Sequence, residues 1–256
     1  MAVRIKTAEE IVRMREGGKR LAGILHEIIV RAVPGVSSGT LDAHAERLIV
    51  SCGGRPVFKG YKISEVKKPF PSSICVSVND EVVHGIPRAD RILKAGDIAS
   101  IDIGMRWKGL VTDMAVTVGI GKISPDAERL IHATREALDI GIARVRPGTR
   151  IGDIGHVIES HLKKNHFGII RDLAGHGVGH ELHEEPLIPN YGKSGTGIRL
   201  EEGMVIAIEP MATLGGWRIT LDDDEWTFRT RDASVAAHFE HTVAVISEGR
   251  EILTAL

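Results

Sequence analysis

The stretch AGHGVGHELHEEP, residues 174–186, brings His176, His180 and His183 together with Glu181, Glu184 and Glu185 among glycines spaced two apart. Imidazoles and carboxylates at that density suit metal ligation or proton transfer. His176 and His180 have the i, i+4 spacing of a zinc-binding helix. Gly175, Gly177 and Gly179 argue against that helix, each costing roughly 1 kcal/mol relative to alanine. His183 also follows His180 by three residues rather than four. The segment is therefore expected to be extended, with His176 and His180 on one face and His183 on the other. Further ligands must come from elsewhere in the chain.

Carboxylates in apolar strands are the natural partners. Residues 96–119, GDIASIDIGMRWKGLVTDMAVTVG, read as a hairpin turning around Trp107-Lys108-Gly109. If Arg106 and Gly109 flank a two-residue loop, Asp102 and Asp113 fall directly opposite one another, with Cβ atoms about 4.5–5.5 Å apart. Two carboxylates that close repel unless one is protonated or a cation lies between them. A bulge would spoil that register and leave one aspartate at a turn or edge. Glu209 follows the apolar run MVIAI, and Glu240 sits within VAAHFEHTVAVI. Either alone could be a solvent-facing strand acid. All four together with one imidazole make an oxygen-rich set with charge enough for two divalent cations. Such ligation favours Mn²⁺, Fe²⁺ or Co²⁺ over a closed structural zinc site. Paired metals of this kind serve hydrolysis.

The elements that must position these groups are legible from caps and periodicity. Thr7 and Glu10 form a capping box ahead of Ile11, Met14, Leu21, Ile24, Leu25 and Ile28, which recur at helical spacing until Pro34-Gly35. A second helix is expected over about 40–52. Ser124-Pro125 opens a third, running to about 146, and a fourth covers about 151–165. Residues 34–49 align with 147–162, keeping proline, both glycines and a glutamate (Glu46, Glu159) in register. This predicts a single catalytic domain, 1–256, of two related halves, about 1–122 and 123–256. Strand-like runs cover 72–84, 96–106, 110–120, 204–213, 217–221 and 234–246. The order predicts an α+β fold with helices on one side of a largely antiparallel sheet, and a site between the halves.

Composition sets the setting. The 256 residues are 43% hydrophobic and 26% charged with net charge −1, which excludes DNA binding by bulk electrostatics. Cys52 and Cys75 are too few for a disulfide framework, as expected of a cytoplasmic protein. The first residues carry no apolar signal-peptide core, and no apolar run approaches the ~20 residues of a membrane span.

In combination, SVNDEVVHGIP (77–87), SIDIG (100–104) with Asp113, GHGVGHELHEEP (175–186), IEPM (208–211) and FEHTV (239–243) resemble type I methionine aminopeptidases over nearly the whole chain. The resemblance implies the pita-bread fold, two pseudo-symmetric halves around a dinuclear centre of Co, Mn, Fe or Zn. It implies Asp113 and Glu240 as bridging ligands, Asp102 completing one metal site, and His176 with Glu209 the other. It implies catalytic roles for His84, His183 and Glu209. It also implies a methionine side-chain pocket walled by Phe58, Tyr61, Phe70, Cys75 and Trp226. The expected substrates are nascent polypeptide N-termini with a small second residue, met by a monomer in transient contact with the ribosome. The chain departs from the family at Thr112 and Met114 around Asp113, at Leu182 before His183, and in about six extra residues within 62–69. That polar, lysine-bearing insertion is expected to loop outward at the cleft rim.

Other histidines are read as ordinary. His26, His44, His132, His156, His161 and His166 fall in or beside helices, His180 suits cleft lining or solvent contact, and His241 points away from Glu240. Two rival functions are an Xaa-Pro peptidase on the same fold and a metal-free binding module. The first usually carries an additional N-terminal domain, and the second should have lost ligands.

Overall fold

Thr7 caps the first helix as its sequence requires: its side chain accepts from the Glu10 amide, while Glu10 accepts from the Thr7 amide at 2.8 Å. The computed structural model describes residues 3–64 and 66–255. Four helices, α1 (Ala8–Arg31), α2 (Ser38–Ser51), α3 (Pro125–Ala143) and α4 (Ile151–Lys164), come in two pairs, each followed by strands. Gly35 and Gly148, at φ 93° and 89°, turn the chain into α2 and α4. One residue before each helix lies an isolated bridge, Ser37 to Ile92 and Arg150 to Arg199. Gly39 and Gly152 then occupy the same position in α2 and α4, and a Cβ on either would meet backbone at 2.8 and 2.4 Å. The aligned stretches therefore share turn, bridge and close helix–backbone approach.

A nine-stranded antiparallel sheet spans both halves. Its hairpin Ile98–Trp107 and Leu110–Gly119 meets the other half through Glu240–Ile246, which pairs with Leu110–Gly119 on one side and Val205–Ile208 on the other. Ala174–Gly177 pairs next to Val205–Ile208. Period-two alternation then separates two environments. Ile101, Ile103 and Met105 pack under α1 and α2, and Ile206, Ile208, Val243 and Val245 pack under α3 and α4. Asp102, Glu209 and Glu240 have the opposite parity and face away from the helices. Two three-stranded sheets flank that open face. One of them pairs Glu81–Val83 with Phe228–Thr230.

The six expected strand runs are present, but three are broken. The run 72–84 turns at Asn79, at φ 58°, between Ile74–Val78 and Glu81–Val83. Met211–Thr213 and Ala236–His238 leave the main sheet to pair with each other. Short partners at Arg55–Pro56, Gly168–Ile169, Phe228–Thr230 and Gly249–Ile252 were not expected, because two to four residues carry no readable alternation.

The segment before α1 is tied across the molecule. Lys6 Nζ lies 2.6 Å from Glu184 Oε2, with both side chains buried, and the Lys6 amide donates to the Gly203 carbonyl at 2.7 Å. Glu184 Oε1 accepts from the His180 and Glu181 amides at 2.7 and 3.0 Å. Removing one partner strands a buried charge, which costs on the order of 3–5 kcal/mol. Lys6→Met is thus expected to lower Tm sharply. The double variant Lys6→Met/Glu184→Gln should recover part of that loss, as read by thermal unfolding of both proteins.

Candidate metal centre

Asp102 and Asp113 reach the open face from one hairpin, in a register that differs from the expected one. Trp107 pairs with Leu110, so the loop is Lys108-Gly109, with φ of 46° and 86°. Two successive left-handed residues make the tight turn that matches strand twist. Asp102 therefore pairs with Ala115, and Asp113 with Gly104. The aspartates are diagonal rather than directly opposed, yet a two-residue shift keeps them on the same face. Gly104 leaves the room Asp113 needs, since a Cβ there would sit 2.9 Å from the Phe58 ring and 3.2 Å from Asp113 Oδ1. Thr242 fixes the backbone, accepting from the Asp113 amide at 2.9 Å and donating to its carbonyl at 2.7 Å.

Glu240 pairs with Ala115 and His176 with Ala207, which brings both residues to the same face. Ligating atoms of Asp113, His176 and Glu240 all lie within 4.8 Å of one another. His176 Nε2 stands 3.7 Å from Glu209 Oε1 and 4.0 Å from Glu240 Oε1. Asp102 and Glu209 border the same cavity, of about 450 Å³. His176 Nδ1 lies 2.9 Å from the Gly177 carbonyl, which sets it as the donor and leaves Nε2 to face the acids with its lone pair.

These groups are not satisfied by the protein. Asp102 Oδ1, Asp113 Oδ1 and Glu240 Oε1 are buried without a hydrogen-bond partner among the described residues. Burial, followed by the charge of Glu209, raises the Asp102 carboxyl to about 7. Asp113 and Glu240 are raised well above the carboxylate range, first by burial and then by the neighbouring carboxylates. Burial holds His176 down at about 4. Crowded acids that resist ionisation beside an imidazole that resists protonation match the donor set of a bound divalent cation.

The remaining expected side chains border the same cavity. Phe58, Phe70 and Trp226 meet edge to face, with centroids 6.5 and 5.3 Å apart in succession. Cys75 is buried among them, and burial pushes its thiol up. His84 adopts a left-handed backbone at φ 58°, with its ring 5.9 Å from Phe228. Burial lowers both His84 and His183 to about 4, so both are neutral at pH 7.

Three local expectations need correction. His183 does not point away from His176. The strand ends at Gly177 and the chain bends through 178–183, bringing the His183 ring edge-on to His176 at 4.4 Å. His180 instead turns outward, its Nε2 2.8 Å from Glu10 Oε1. The insertion 62–69 is not simply an outward loop. Its base closes through Gly60 to Phe70 and Phe70 to Tyr61 backbone bonds, both 2.8 Å. Val66 is buried against the aromatic wall, and the Lys68 carbonyl accepts from the Trp226 indole at 3.1 Å. One valine amid lysines carries no periodic signal, so its burial depends on the fold around it.

His238 is the twelfth histidine and was not singled out from sequence. It is buried on Ala236–His238, with Nε2 3.4 Å from Glu209 Oε2. Its signal was parity with Glu240, two residues on, which puts both on one face if the strand runs straight.

Residues 12–247 match metallopeptidase family M24. The chain belongs to that family. Methionine aminopeptidase 1 of Bacillus subtilis is 45% identical over 250 residues, covering 97% of this chain and 98% of its own. The crystal structure of methionine aminopeptidase from Thermotoga maritima superposes with a TM-score of 0.95 at 42% identity over 100% of both chains. The fold is thus the α+β pita-bread fold. Xaa-Pro dipeptidase from Bacillus anthracis shares the fold at 21% identity and TM-score 0.75, but this chain spans only 62% of it.

The burial of Asp102 has a measurable consequence in the metal-free protein. Below the unfolded pKa of about 3.9, both states are protonated and burial carries no ionisation penalty. As pH rises toward the folded value of about 7, the unfolded chain ionises first and stability is lost. Asp102→Asn is expected to raise Tm by several degrees at pH 7.5 in chelator and to change it little at pH 4. A lower Tm than wild type at pH 7.5 would overturn burial as the cause.

Proposed function

We infer that this chain removes N-terminal methionine from proteins by metal-dependent hydrolysis. The observation that carries the reading is the set of buried, unpartnered carboxylate oxygens facing a histidine on the floor of an aromatic-walled cavity. Relatives named methionine aminopeptidase, matched along nearly their whole length, support it. The protein acts on polypeptide N-termini. A prolidase-like reading is weaker, because the matching Xaa-Pro dipeptidase is a longer chain of low identity. A metal-free binding module would have no use for five potential ligands packed this closely.

In this reading Asp102, Asp113, His176, Glu209 and Glu240 hold two divalent cations, with Asp113 and Glu240 between them. Co, Mn, Fe and Zn all suit one imidazole and four carboxylates. When bound, such a pair supplies a Lewis acid for the scissile carbonyl and makes water more acidic. The protein's own groups do the rest. Glu209 accepts the proton of the attacking water. His84 and His183, neutral at pH 7, donate hydrogen bonds to the peptide and to oxygen charge as the tetrahedral intermediate forms. The wall of Phe58, Tyr61, Phe70, Cys75 and Trp226, completed by Val66, takes an unbranched thioether through sulfur–aromatic contacts worth about 0.3–1.5 kcal/mol each. A small second residue fits beyond it. We place the enzyme in the cytoplasm as a single domain of two related halves, a monomer that meets nascent chains in transient contact with the ribosome.

The deciding experiment is hydrolysis of Met-Ala-Ser against Ala-Pro peptides by chelated protein refilled with one metal at a time. Cleavage of the methionyl peptide alone is expected, and equal cleavage of Leu, Lys and Met first residues would sink the pocket assignment. Glu209→Gln should lose metal and nearly all turnover. His183→Ala should keep its metal while kcat falls on the order of 10²-fold, as for loss of an oxyanion donor. Val66→Ser is expected to raise KM for methionyl tripeptides by about threefold to tenfold with kcat nearly unchanged, since burying a valine is worth about 1.5–3 kcal/mol. A first-residue scan on both proteins reads it.

A further inference from the structure

Tyr61 belongs to the apolar wall, yet its hydroxyl is not directed at apolar neighbours. Its oxygen lies 2.6 Å from His183 Nδ1, and the two rings meet edge to face at 5.2 Å. We propose that Tyr61 is a positioning residue whose hydroxyl donates to His183 Nδ1, fixing that imidazole as the Nε2–H tautomer so that its one N–H serves the reacting centre. The proposal deepens the methionine aminopeptidase reading and rests on it for the identity of the oxygen that His183 serves.

The chemistry of the two rings sets the direction. A neutral imidazole has one donor and one acceptor nitrogen, and the bond made at one nitrogen decides the state of the other. If Nδ1 carried the hydrogen, the phenol would act only as acceptor and its own proton would need another acceptor. No other hydrogen-bond partner of that hydroxyl occurs among the described residues. Nε2 would then present a lone pair to the cavity, repelling an oxygen that gains negative charge. Donation by Tyr61 avoids both faults.

Both partners are held in place from behind. The Tyr61 amide donates to the Phe58 carbonyl and its carbonyl accepts from Phe70, each at 2.8 Å, so the ring stands on the closed base of the insertion. His183 precedes Glu184, whose carboxylate is anchored by Lys6 and by two amides of the same bend. The contact thus joins the pocket wall to the bend that carries the catalytic imidazole.

The test uses the full chain labelled with ¹⁵N-histidine, metal-free and zinc-loaded, with long-range ¹H–¹⁵N correlation reporting the tautomer. His183→Gln assigns the resonance. In the wild-type protein the His183 signals should be those of the Nε2–H form, a measurement that needs no variant. In Tyr61→Phe, which keeps the ring and removes one oxygen, those signals should move toward a tautomer mixture. On Met-Ala-Ser its kcat should fall about tenfold, in the range of outer-shell losses, with KM and metal content unchanged. A wild-type Nδ1–H form overturns the proposal. So does a Tyr61→Phe protein with unaltered tautomer, or one in which only KM changes. Should the wild type cleave no methionyl peptide at all, the functional reading fails while the tautomer result still decides the Tyr61–His183 bond.

Discussion

Everything at the cleft follows from carboxylates placed where they cannot all be ionised. Asp102, Asp113 and Glu240 have oxygens sealed from water and unmatched by protein donors. In most interiors that arrangement would be eliminated, since a buried polar group without a partner is costly. Here a rigid sheet maintains it. The apolar side chains on the helix-facing side of the same strands supply the burial free energy that holds the acids together. Metal affinity and fold stability are therefore opposed in the empty protein and aligned in the loaded one.

The architecture lets strands from distant parts of the chain contribute one residue each. Parity does the sorting. Ile101 faces a helix and Asp102 the cleft; Ile208 faces a helix and Glu209 the cleft. Precision comes from what supports each ligand: Thr242 grips the backbone of Asp113 from the neighbouring strand, and Gly177 fixes the tautomer of His176. Specificity is assembled separately. The aromatic wall comes from the segment around the insertion and from the 219–230 hairpin, and it leaves the metal-facing strands untouched.

Much of this was readable in the residues, for identifiable reasons. The helices announced themselves through Thr7, Ser124 and the two Pro-Gly stops, because caps and turns are local chemistry. The acids stood out because charge inside an apolar strand demands a partner. What escaped was non-local. The hairpin register depended on whether Trp107 joined the strand or the turn, a choice made by cross-strand pairing rather than by composition. The direction of His183 depended on a bend held by Glu184 and Lys6, far apart in sequence. Val66 and His238 became significant only through what packs beside them.

The strand Glu240–Ile246 lies between the two halves of the sheet, although it comes close to the end of the chain. A ribosome must therefore release both helix pairs and nearly all of the cleft-forming strands before the one that unites them exists. Until then the two halves are open sheets with exposed edges. The centre cannot acquire its bridging carboxylate, and so its full charge, from a partial chain. A truncated or stalled product would hold the pocket aromatics and most of the acids yet lack the means to collect metal, so activity arrives as the last event of synthesis rather than growing with length.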